Sequence, residues 1–167
     1  MPGMLDQLVD VMKEQTERHK ELHGLSLEEK DAIIKNDIDA LQNLVNLKNM
    51  VISQNNRLEK QRVSLVKDIA DVMGNKNTDL SLADLIEIIE IADDKEKLRE
   101  AGNALRAAVT QLKEINDVNK SLLESSIEFV EYSLNALRST ISPEHPEFPI
   151  RPSTGGDSPS GKFDTMR

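Results

Sequence analysis

The chain has 167 residues and a formal net charge of −9. That length suits one domain, and the acidic residues, spread along the chain, read as a solvated acidic surface and argue against a nucleic-acid binder, which normally shows a basic stripe. Aromatic content is 2% with no Trp and no Cys, which excludes disulfides and thiolate metal sites and favours long helices with aliphatic seams over a compact globule.

Asp6, Asp10 and Lys13 interrupt the N-terminal apolar residues, so no signal-peptide core is expected. No apolar run approaches the ~18 residues of a membrane span. The expectation is a soluble cytoplasmic protein.

Up to about residue 140 the chain is rich in helix formers and nearly free of Pro. A first helix is predicted over about 3–35, with Leu5, Leu8, Val9, Met12, Leu22, Ile33 and Ile34 on its apolar face. Two breaks compete. Gly24 with Ser26-x-x-Glu29 has the form of a capping box inside the helix. Asn36-Asp37 is the stronger turn, because Asn tolerates the left-handed conformation and Asp37 can cap the next helix.

A second helix is predicted over about 38–73, ending at Gly74-Asn75. Lys48, Asn55 and Arg62 interrupt its apolar stripe at intervals of seven. The third helix begins after Ser81, an N-cap with Asp84 three residues on, and is predicted to run over about 82–139. From Ser142 five prolines and three glycines accumulate, so residues 142–167 are expected to be a flexible tail. The predicted fold is all-α: an elongated antiparallel three-helix, coiled-coil-like bundle over 1–141, with an overhanging third helix and a disordered C-terminal tail.

Antiparallel packing with equal rise pairs helices two and three so that residue numbers add to about 155. Asn116 and Asn119 then lie level with Asn36 and Asp37. The two amides are expected to hydrogen-bond exposed backbone groups of that turn. Beyond about Val118 the third helix is left without a neighbour for roughly 30 Å. Leu122, Leu123, Ile127, Phe129, Val130, Leu134, Leu137 and Ile141 lie there, with Asn119 and Ser126 among them, and form the candidate partner-binding stripe. Were the first break at Gly24, helix two would start near Ser26 and cover positions out to about 129 by the same rule.

Chemistry is sparse. His19 and His23 share a helical face, but Lys20 stands where a metalloprotease pattern needs Glu, and no third ligand is evident. Glu28, Glu29, Asp31 and Asp37 lack the glycine and alternating ligands of a calcium loop. No phosphate-binding glycine loop or nucleophile elbow occurs. No catalytic residue, cofactor or metal is expected.

The order of "NDIDAL", "RLEKQR", "DLSLADLIE" and "INDVNKSLLESSIEFV" resembles the FlgN-type flagellar export chaperones over about residues 5–140. The resemblance implies a small acidic helical protein of the bacterial cytosol, without catalysis; as a chaperone rather than a scaffold, the chain is expected to be a monomer or weak homodimer. It implies binding of the C-terminal helical segments of flagellar hook-associated proteins, and their delivery to the flagellar export gate. It places the partner surface on the C-terminal helix, at Leu122, Leu123, Phe129, Val130 and Leu137. The competing expectation is a self-assembling coiled-coil scaffold. The interrupted stripe (Lys48, Asn55, Arg62, Asn116, Asn119) is less regular than a self-sufficient coiled coil requires.

Overall fold

A computed structural model describes residues 3–75 and 80–141. The sequence-predicted tail, 142–167, lies outside the described residues, as do 76–79 of the connection after the second helix. Among the described residues there are four helices and no strand: α1 (Met4–Lys35), α2 (Ile38–Val72), α3 (Leu82–Ile88) and α4 (Ala92–Ile141). No helix among them is long and apolar enough to cross a membrane.

α1 runs uninterrupted through Gly24 and ends at Asn36, the one non-glycine described residue with positive φ (φ 54°, ψ 36°). Its left-handed conformation lets the Asn36 and Asp37 amides reach back to the Ile33 and Ala32 carbonyls, at 3.1 and 2.9 Å. Asp37 then opens α2, its carboxylate accepting from the Ala40 amide at 3.0 Å.

Ser81 and Asp84 form a reciprocal capping box at α3. The Asp84 carboxylate accepts from the Ser81 amide at 3.0 Å and from its hydroxyl at 2.6 Å. These bonds to Ser81 hold the Asp84 carboxyl below its ordinary range.

The single helix expected over 82–139 is instead two. Ile89 adopts extended backbone (φ −67°, ψ 122°), and α4 restarts at Ala92. Three β-branched isoleucines in the four positions 88–91 weaken the helix. Asp93 and Asp94 favour a fresh N-terminus there. Ile89 itself is buried in the core, so the break is fixed by packing.

The chain divides into two compact units, one to Ile127 and one from Glu128. In the first, an apolar core cluster gathers Leu8, Val9 and Met12 of α1, Val66 and Ile69 of α2, and Leu85, Ile89, Leu98 and Ala101 around the α3–α4 break. Each large side chain fully buried there contributes about 1.5–3 kcal/mol of transfer energy. Gly102 on α4 makes room for α3: a Cβ at that position would meet Leu82 Cδ2 at 2.8 Å and Met12 Cε at 3.7 Å. The second unit is described as far as Ile141, and within it α4 exposes nearly every side chain.

Candidate functional site: the amide layer and the exposed rows of α4

α1 and α2 are antiparallel, as the pairs Gln15–Glu59, Arg18–Gln54 and Glu29–Lys48 show by running in opposite directions. α4 runs parallel to α1. Its hydrogen bonds join Ser26 to Asn116, Ser26 to Asn119 and Glu29 to Asn119, at sequence separations of 90, 93 and 90.

The two amides therefore meet α1 at Ser26 and Glu29, not at the Asn36–Asp37 turn. Asn119 Nδ2 donates to the Ser26 carbonyl at 2.8 Å and to Glu29 Oε2 at 2.9 Å. The fully buried Ser26 hydroxyl donates to Asn116 Oδ1 at 3.0 Å. Lys48 of α2 closes the layer with an ion pair to Glu29 Oε2 at 2.7 Å. The register differs from the expected one by roughly eight to ten residues, because the α3–α4 break replaces a straight helical return.

Ser26, Glu29 and Lys48 stand in the sequence as a capping pattern, an acidic run and an interruption of an apolar stripe. Only the three-dimensional register joins them. Both neighbours of Asn119 Nδ2 are acceptors, so the amide nitrogen must face them. Its Oδ1 is left buried without a partner.

α4 carries two rows. The inward row recurs at alternating steps of three and four and includes Leu98, Ala101, Ala108, Ile115 and Asn119, all buried. Leu122 and Ser126 continue it, half-buried. An outer row starts one residue later, at Leu123 (39% exposed) and Ile127 (57%). One residue is about 100° around a helix, so this row is not the inward seam prolonged. In the second unit the same two spacings continue. Phe129 falls on the inward series and Val130, Leu134, Leu137 and Ile141 on the outer. All five are exposed, from 47% at Leu134 to 76% at Ile141.

His19 Nδ1 lies 2.8 Å from the Gln15 carbonyl. Among the described residues no cluster of three or more His, Asp or Glu is arranged to hold a metal.

These features define a class: an all-α protein with a side-chain-locked helical bundle and a long helix presenting apolar rows. The FlgN family model, described as FlgN protein, matches residues 1–145, and the chain belongs to that family, the flagellar export chaperones. Comparisons with curated proteins and with solved structures gave no match.

Proposed function

We propose that this chaperone binds the C-terminal helical segments of flagellar hook-associated proteins along the exposed rows of α4, holds them from premature assembly in the cytoplasm and delivers them to the export gate. The observation that carries the reading is the exposure of Leu123, Ile127, Phe129, Val130, Leu134 and Leu137 on one helix of a family member. Large apolar side chains in water at helical spacing suit an amphipathic helix laid against them. Four or five anchors at about 1.5–3 kcal/mol each, less ordering costs, support a specific and reversible complex. Glu124, Glu128 and Glu131 flank the rows, keep the unloaded chain soluble and favour clients with basic flanks.

The test is co-expression with each hook-associated C-terminal segment. Leu123→Asp combined with Phe129→Asp disrupts one position in each row, and both sites are exposed, so helicity should persist. Loss of co-purification is expected. Retained binding moves the client site onto α1 and α2. The free chain is expected to be a monomer or weak homodimer. A stable oligomer that the double variant dissolves favours the scaffold reading instead.

A further inference from the structure

At the end of the first unit remote from the amide layer, the start of α1, the end of α2 and the α3–α4 break enclose an open groove of about 590 Å³. Its apolar lining includes Leu5, Ile69 and Ile89 together with Met4, Val72, Met73 and Ile91. The last four are 42%, 72%, 39% and 62% exposed, a large apolar allotment for one end of a bundle. Two methionines on the walls give a surface that adapts to its occupant.

The charged residues lining the groove are Asp6, Glu90 and Asp94, all carboxylates, with no base among the described lining residues. Lys97 lies close enough to Asp6 and Asp94 to feel them, but its amine is paired with Asp93 at 2.9 Å. An apolar floor with an acidic rim selects a segment with an apolar face and cationic flanks. It disfavours a second copy of this chain, which would bring the same carboxylates and a net charge of −9 to the contact.

We propose that this groove is a second docking site, taking a short amphipathic helix flanked by Lys or Arg from another protein. It is separate from the rows on α4 and does not rest on them.

The test uses the full chain with methyl-labelled methionine and a synthetic helical peptide bearing leucines at i, i+3, i+4 and i+7 with lysine flanks. A peptide identical but for glutamate flanks is the comparison. The lysine-flanked peptide should shift the Met4 and Met73 signals and bind about tenfold more tightly than the glutamate-flanked one. Glu90→Gln with Asp94→Asn should shrink that difference. Val72→Asp with Ile91→Asp, both at exposed positions, should abolish the Met4 and Met73 shifts. Leu123→Asp with Phe129→Asp should leave them in place.

Equal affinity for the two peptides overturns the charge argument and the proposal. So does binding lost only in the Leu123/Phe129 variant. Concentration-dependent Met4 and Met73 shifts without peptide would make the groove a self-interface. Shifts produced by deleting residues 142–167 would assign it to the chain's own end. Either result overturns the proposal.

Discussion

Asn119 of α4 donates to the main-chain carbonyl of Ser26 in α1 at 2.8 Å, across a sequence separation of 93 residues. Asn119 is 3% exposed and Ser26 fully buried, so the contact is made out of water. It ties the register of α4 to α1 at Ser26 and Glu29, and Leu122 and Ser126 continue the inward spacing of Asn119, half-buried. Replacing Asn119 with Leu removes the donor to Ser26 and Glu29, and is expected to cost about 1–3 kcal/mol in urea denaturation. The unpartnered Oδ1 moderates the loss, since its desolvation is relieved at the same time. A gain in stability would show that the amide serves no structural purpose.

The Glu29–Lys48 ion pair is nearly buried, with side chains 12% and 16% exposed. Lys48→Met leaves the Glu29 carboxylate with only the Asn119 amide, and is expected to destabilise by about 2–4 kcal/mol. Adding Glu29→Gln removes the stranded charge and should recover part of that loss. A double variant as unstable as the sum of the two single variants would mean that the pair is not coupled.

Glu59 accepts from Arg62 Nε and Nη2 at 2.8 and 2.7 Å, and from Gln15 Nε2 at 2.9 Å. The Arg62 hydrogen bonds are the chief reason that its carboxyl lies below the ordinary 4.5, with burial opposing them. A depressed folded value means that the contribution is complete above about 4.5 and is lost as pH falls through the folded value. Because the Glu59 side chain is 46% exposed, the effect should be less than about 1 kcal/mol. Glu59→Gln should flatten the acid limb of stability below pH 4.5 and leave its shape near neutrality unchanged.

At Asn36 the backbone is left-handed (φ 54°), a conformation that costs residues bearing an ordinary side chain. Asn36→Ala should lower stability by about 1 kcal/mol, while Asn36→Gly should be neutral or slightly stabilising. Thermal unfolding of the two variants distinguishes them. Equal melting temperatures would show that the turn does not depend on this geometry.

The long helices and the Asn36–Asp37 turn are legible in the sequence because each rests on local chemistry: periodic aliphatic residues, an amide that tolerates positive φ, and a carboxylate cap. The α3–α4 break is not. Ile88, Ile89 and Ile91 satisfy a helical stripe as well as they satisfy a core insertion, and only the packing of Ile89 decides between them. That one break displaces the register, so a straight-helix reading sends Asn116 and Asn119 to the turn rather than to Ser26 and Glu29. The division of α4 into two rows is also hidden. Leu122 and Leu123 are adjacent leucines in the sequence, and burial alone assigns the first to the inward series and the second to the outer.

Amide hydrogen exchange of the full chain, with and without a hook-associated C-terminal segment, tests client binding on α4 most directly. Slow exchange is predicted in α1, α2 and α4 up to about Asn119 in both states, with new protection on binding confined to about residues 122–141. New protection on α1 or α2, with residues 122–141 unchanged, would contradict it.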